Sequence, residues 1–375
     1  MSFELIDSTN CMVNFSQDDN IVFVANNSKK KYYLYDLVSK NKCELTMLEE
    51  PVFSSAFSND NNKLAILTYN KKDYNLTQII IIDTKSGNFL KEIDLEEYIT
   101  DDFVSITKIC WCKDRVVLSF HSSKEKKSVI VVVDTDNNYK INTKDLHNYV
   151  IENLFCNEMN IIFMCSDFSA KGFKGYIKSL NCTDLDKDAK LLYKTKNLGN
   201  NFRFTTEDQF ASNISLAIAY KKGLTHVLLR PIKRQLVYKF DISSETIISL
   251  TKKPLLKKKL IEPQQIFGDT KNFCGVEKKH GFFSCVFFGD ENKTLGIYSF
   301  SNCKKICDFT IDSQLLSFHT KDKNINLAPQ NYKFMKSEVF DSFVFSATGK
   351  YILLHTNKKT YIYNTPKDLL EFLEN

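Results

Sequence analysis

The residues able to do chemistry in this chain are scattered rather than grouped. Eleven cysteines and six histidines stand among 375 residues. The closest-spaced cysteines are Cys110-x-Cys112 and Cys303-x-x-x-Cys307, and neither has the Cys-x-x-Cys spacing of a zinc site or a second matching pair. Residues two apart on a strand share a face, so Cys110 and Cys112 are expected to line one layer of packing. The histidines, His121, His147, His226, His280, His319 and His355, occur singly, so no local pattern pairs one with a cysteine nucleophile. There is no Gly-x-Ser-x-Gly elbow, and with 11 glycines no Gly-rich loop to cradle a phosphate. The expectation is no catalytic residue, no metal site and no cofactor.

Charge has one location. The formal net charge is +6, yet Arg230 to Lys259 alone carries nine basic residues against Asp241 and Glu245, a net +7. Arg230, Lys233, Arg234, Lys252, Lys253, Lys257, Lys258 and Lys259 are therefore the candidate partner-binding residues. A basic loop of this kind contacts RNA, an anionic lipid headgroup or an acidic protein surface. The competing reading is a solvated lysine-rich loop. Of 51 basic residues only Arg115, Arg203, Arg230 and Arg234 are arginine. That excess of lysine, beside abundant Asn, Ile and Phe, looks like the coding bias of an AT-rich genome. Scarce arginine also argues against base-specific reading, which favours the bidentate guanidinium.

The elements that must position these residues are strands. Hydrophobic residues make up 43% and aromatic residues 13% of the chain, the composition of a folded globular protein. No apolar run approaches the roughly 20 residues of a membrane-spanning helix. MSFELIDSTN lacks the basic start and long apolar core of a signal peptide, and an odd number of cysteines in a long chain reads as reduced thiols. A cytoplasmic or nuclear location is expected.

A repeat runs along the chain. FSQDDNIVFVAN starts at Phe15, FSNDNNKLAILT at Phe57 and FSATGKYILLHT at Phe345. Trp111 and Phe155 occupy the same place, and the first four occurrences are separated by 42, 54 and 44 residues. After each comes a polar turn and a β-rich run. A second motif, an apolar strand, an Asp, a polar turn and another strand, places Asp36, Asp83 and Asp134 in register. These aspartates are dispersed by the repeat, each in a turn where its carboxylate accepts backbone N–H bonds. The units fall near residues 11–48, 51–95, 103–146, 150–193, 200–243, 260–311 and 337–364. Each holds about four strands, a sheet unable to bury both faces alone. Closing several into a ring solves that problem.

These motifs resemble the WD-repeat family of β-propellers in a degenerate form. The matching residues are Phe15, Phe57 and Phe345 with their following serines, together with Asp36, Asp83 and Asp134, and the resemblance covers residues 1–140 and 338–365. No Gly-His dipeptide precedes a unit and no Trp-Asp pair ends one, so the family's Asp-His-Ser/Thr-Trp network is absent as a unit. The expected fold is an all-β propeller of seven four-stranded blades, eight being the alternative. FELID near the N-terminus would supply the outer strand that closes the ring. The expected organisation is one domain over 1–375, with loop insertions at 249–264 and 319–334 and a short tail at 366–375. The resemblance implies a non-enzymatic scaffold or adaptor, a subunit of a larger intracellular assembly whose partners are other protein subunits. The alternatives are an RNA- or anionic-lipid-binding propeller acting through 230–259, and a propeller-fold hydrolase.

Overall fold

The structure, a computed structural model, describes residues 3–7, 11–69, 76–98, 103–106, 109–122, 124–157, 159–167, 174–194, 216–221, 224–229, 238–241, 246–249, 273–277, 282–286, 294–299, 305–311, 316–319, 324–326, 340–346, 349–356 and 359–365. The chain divides into two compact units, Met12–Glu207 and Met1–Cys11 with Asp208–Asn375. Among the described residues the strands form seven sheets, all with antiparallel pairing and mostly of sequential neighbours.

The first strand, β1 (Phe3–Asp7), belongs to the same sheet as the last three. The unit Met12–Glu207 holds four sheets. β2 (Met12–Phe15), β3 (Ile21–Asn26), β4 (Lys31–Asp36) and β5 (Lys42–Glu44) make one, and β6 (Val52–Phe57), β7 (Lys63–Tyr69), β8 (Leu76–Asp83) and β9 (Phe89–Asp94) the next. The third contains β10 (Phe103–Ile106), β11 (Cys110–Cys112), β12 (Arg115–Ser122), β13 (Lys127–Asp134) and β14 (Lys140–His147). Its first strand is broken, β10 and β11 both pairing with β12. β15 (Tyr149–Asn157), β16 (Asn160–Asp167), β17 (Lys174–Asn181) and β18 (Lys190–Lys194) complete the unit.

In the other unit, β19 (Leu216–Lys221), β20 (Leu224–Leu229), β21 (Tyr238–Asp241) and β22 (Thr246–Ser249) form a four-stranded sheet. β23 (Phe273–Glu277), β24 (Phe282–Val286), β25 (Thr294–Ser299), β26 (Lys305–Ile311), β27 (Leu316–His319) and β28 (Asn324–Asn326) form a sheet of six rather than the expected four. A fourth strand leaves a free row of N–H and C=O groups at its edge, and the segment that follows β26 pairs with that row. β29 (Phe340–Phe345), β30 (Tyr351–Thr356) and β31 (Thr360–Asn364) make up the last sheet, and β1 adds to the outer edge of β31 through Phe3↔Tyr363 and Leu5↔Tyr361. The expected pairing of FELID as an outer strand is therefore present.

Alternation explains how Met12–Glu207 builds its core. Ile79 and Ile81 enter an apolar layer with Trp111, Val116, Leu118 and Val131. Ile80 and Ile82, on the opposite face of β8, enter a second layer with Phe23, Leu34 and Leu64. A third layer joins Val117, Ile130 and Val132 to Ile161 and Phe163. Each inner sheet thus buries both faces, which is why IIII and VIVVV are continuous rather than alternating runs. Each such side chain contributes roughly 1.5–3 kcal/mol by leaving water.

The repeat corresponds to one place in this architecture. Phe15 pairs with Val22, Phe57 with Leu64, Trp111 with Val116, Phe155 with Ile162 and Phe345 with Ile352. Every one lies at or within two residues of the end of the first strand of its hairpin.

Candidate functional site

Two kinds of turn absorb the polar residues of the repeat. Following Phe15, the Ser16 N–H donates to the Ile21 carbonyl at 2.8 Å, and its Oγ accepts from the Ile21 N–H at 3.0 Å while donating to Asp18 Oδ1 at 2.6 Å. Ser58 repeats this with Lys63 and Asp60, and Ser346 repeats the backbone part with Tyr351. All three serines are buried. The turn requires a left-handed residue, supplied by Asp19 (φ 60°), Asn61 (φ 61°) and Gly349 (φ 76°). Asp, Asn and Gly tolerate that conformation best, which accounts for their presence after each Phe-Ser. Burial works to raise the Asp18 and Asp60 carboxyls, but the serine hydroxyls and the amides of Asn20 and Asn62 outweigh it and hold both below the usual value.

The aligned aspartates cap the hairpin into the outer strand. Asp36 Oδ1 accepts the N–H groups of Val38 and Ser39, both at 2.8 Å. Asp83 Oδ1 accepts from the Ser86 Oγ–H at 2.7 Å and the Ser86 N–H at 2.8 Å. Asp134 Oδ1 accepts the Asp136 N–H, while its other oxygen meets Arg115 Nη2 at 2.6 Å. The expected role, turn formation by dispersed carboxylates, is what the geometry contains.

Side chains also join neighbouring sheets. Asn14 Nδ2 donates to the Ser55 carbonyl at 2.8 Å, and the Ile109 N–H donates to Ser54 Oγ at 3.2 Å. Trp111 Nε1 donates to the Ala56 carbonyl at 2.7 Å. Ser128 Oγ donates to the Tyr149 carbonyl at 2.9 Å and accepts from the Ile151 N–H at 3.0 Å.

Ser128 also stands 3.4 Å from His121 Nδ1, the spacing of a nucleophile and its base. Both side chains are buried, the hydroxyl proton is given to a backbone carbonyl, and burial pushes the His121 imidazole below its ordinary value. The pair holds two sheets together and presents no exposed nucleophile.

Four cysteines converge where β11 packs against β15. Cys110 Sγ lies 3.1 Å from Cys156 Sγ, and Cys112 takes hydrogen bonds from Cys156 and Cys182. As expected from their spacing, Cys110 and Cys112 share a face: both contact the layer around Ile161 and Phe163, while Trp111 points into the layer on the other side. Cys156 and Cys182 were not legible as their companions, because only the packing of one sheet on the next brings them there. Among the described residues no group of three or more His, Cys, Asp or Glu side chains is arranged to hold a metal ion.

The candidate basic residues, Arg230, Lys233, Arg234, Lys252, Lys253, Lys257, Lys258 and Lys259, lie outside the described residues. Among the described ones, the exposed large apolar side chains include Val38 (66% exposed), Phe89 (45%) and Leu90 (40%), all in or beside the aspartate-capped turns. Among the described residues no helix is long and apolar enough to cross a membrane.

No protein-family description matches the sequence, and no curated protein matches it. Solved structures do. A chain of the mitotic checkpoint complex superposes with a TM-score of 0.54 at 11% identity, covering 97% of this chain and 93% of that one. The Cps50 (Swd1) β-propeller domain of Myceliophteria thermophila gives 0.55 at 9% identity, over 97% and 99%. An oligogalacturonate lyase in complex with manganese gives 0.55 at 11% identity, over 96% and 89%. The fold is that of a β-propeller. At such identities the likeness extends to the fold alone.

Proposed function

We propose that this propeller is a non-enzymatic interaction scaffold, a WD-repeat-like ring of seven blades that serves as a subunit of a larger assembly in the cytoplasm or nucleus. The observation that carries this reading is where the side chains are used. The repeated serines and aspartates are committed to turns, and the buried Ser128–His121 pair to a seam between sheets. Large apolar groups stand exposed at the turns instead, at Val38, Phe89 and Leu90. Rigid sheets with variable loops suit a platform, since loops change without disturbing the core. The likeness to a chain of the mitotic checkpoint complex supports the same reading. The likeness to an oligogalacturonate lyase supports the competing one, a propeller enzyme.

Arg230, Lys233, Arg234 and the lysines at 252, 253 and 257–259 supply the electrostatic part of partner contact in this reading. The test is recovery of the tagged protein from its own cells at low and high salt, with the wild-type chain and with Lys257, Lys258 and Lys259 replaced by Glu. A fixed set of proteins that survives high salt, and is recovered less well by the triple variant, is the expected result. RNA or lipid lost steeply with salt would replace this reading with the anionic-ligand one, because released counterions make such binding salt-dependent. Recovery of the chain alone, with turnover of a polysaccharide substrate, would replace it with the enzyme reading.

A further inference from the structure

The four-cysteine cluster is used by neither the turns nor the proposed contacts. Its sulfurs come from two sheets. Cys110 and Cys112 sit on β11, Cys156 on β15 and Cys182 in the turn after β17. The four sulfurs differ in exposure. Cys112 and Cys182 are buried, whereas Cys110 and Cys156 are partly exposed, so the latter two are the more open to a small oxidant. Their sulfurs are also in direct contact, 3.1 Å apart across 46 residues of chain. A disulfide needs a separation of about 2.05 Å, so closure asks for a movement of about 1 Å.

We propose that Cys110 and Cys156 form a peroxide-oxidisable pair whose disulfide joins the sheet of β10–β14 to that of β15–β18. Hydrogen peroxide is the oxidant. The Cys110 sulfur attacks one peroxide oxygen, forming an S–O bond and breaking the O–O bond. The departing hydroxide takes the Cys110 proton and leaves as water. The Cys156 sulfur then attacks the sulfenic sulfur, the S–S bond forms, the S–O bond breaks, and the second hydroxide leaves as water with the Cys156 proton. Two thiols and one peroxide become one disulfide and two waters.

Cys112 has a place in the second step. Hydrogen bonds from Cys156 and then Cys182, with the Arg115 guanidinium nearby, hold the Cys112 thiol down to about 5 despite its burial. Burial first, then Cys110 and Cys112 beside it, push the Cys156 thiol up. The Cys156 thiol, which must lose its proton in the second step, is hydrogen-bonded to Cys112. Cys112 acts as a positioning residue that relays the Cys156 proton to the departing hydroxide, not as the sulfur that is oxidised.

The experiment uses the full chain, reduced with dithiothreitol and freed of it, then treated with a few equivalents of peroxide and quenched with N-ethylmaleimide. Tryptic peptides are sequenced by mass spectrometry. The expected product links Cys110, in the peptide Ile109–Lys113, to Cys156, with loss of two hydrogens and reversal by dithiothreitol. Fragment ions separate Cys110 from Cys112 on the wild-type chain, so the result does not hang on a variant's folding. Cys110→Ser and Cys156→Ser abolish the link, and Cys112→Ser slows its formation while leaving it in place. Full alkylation of Cys110 and Cys156 after peroxide overturns the proposal, as does a Cys110–Cys112 link. Recovery of the chain with a stoichiometric metal ion protecting the four thiols overturns it as well. None of these outcomes bears on whether the chain is a scaffold.

Discussion

Trp111 Nε1 donates to the backbone carbonyl of Ala56 at 2.7 Å, from the first strand of one sheet to the first strand of its neighbour. Phe15, Phe57 and Phe345 hold the corresponding place elsewhere, and a phenyl ring has no such donor. Trp111→Phe should therefore preserve packing but remove that bond, costing about 1 kcal/mol. Trp111→Ala also opens a cavity and should cost about 3–5 kcal/mol. Urea unfolding followed by circular dichroism checks both, and a Trp111→Phe variant as stable as the wild type would show that the hydrogen bond contributes nothing.

The aligned aspartates are not equivalent. Asp83 serves only its own turn, so Asp83→Ala should cost about 1 kcal/mol. Asp134 also pairs with Arg115, the two side chains being 11% and 19% exposed. Removing that carboxylate leaves a largely buried guanidinium uncompensated, at about 3 kcal/mol. Unfolding midpoints of the two variants should rank in that order.

Acid should loosen the same turns. The Ser86 hydroxyl and N–H hold the Asp83 carboxyl below its ordinary value, and the Ser39 N–H does the same for Asp36. A carboxyl depressed on folding adds stability that is complete above its unfolded value of 3.8 and lost as pH falls through the lower folded value. Asp83→Asn retains an acceptor that does not titrate, so its unfolding midpoint should fall less than that of the wild type below about pH 4. Parallel acid profiles would count against this account.

Gly87 sits at φ 70°, and a Cβ added there would collide with Cys43 Sγ on the neighbouring sheet. Gly87→Ala should lose about 1–2 kcal/mol from the left-handed backbone alone, plus the cost of displacing Cys43. Cys43→Ala should recover the second part and leave the first. A double variant as stable as Cys43→Ala would deny the backbone contribution.

Deleting residues 2–7 removes β1 and bares the edge of β31, whose Tyr361, Ile362 and Tyr363 are buried. Unpaired edges recruit other strands. The shortened chain should self-associate in light scattering where the full chain does not, and a monodisperse monomer would contradict the role given to β1.

What was legible in the sequence is local. The serine turn closes within five residues and the aspartate turn within three, so each writes its own short pattern, and the pattern repeats because each sheet needs the same two turns. The run IIII at 79–82 read as an apolar strand, and the packing shows it buried on both faces. The pairing of Cys110 with Cys112 on one face followed from a period of two. The tertiary structure alone decided what crosses between sheets or between distant parts of the chain. That Trp111 finds Ala56, that Cys110 finds Cys156, and that β1 lies along β31 depend on contacts over 55, 46 and more than 350 residues. Such contacts follow from how one sheet packs or pairs with another, and a single sequence carries no local signal for them.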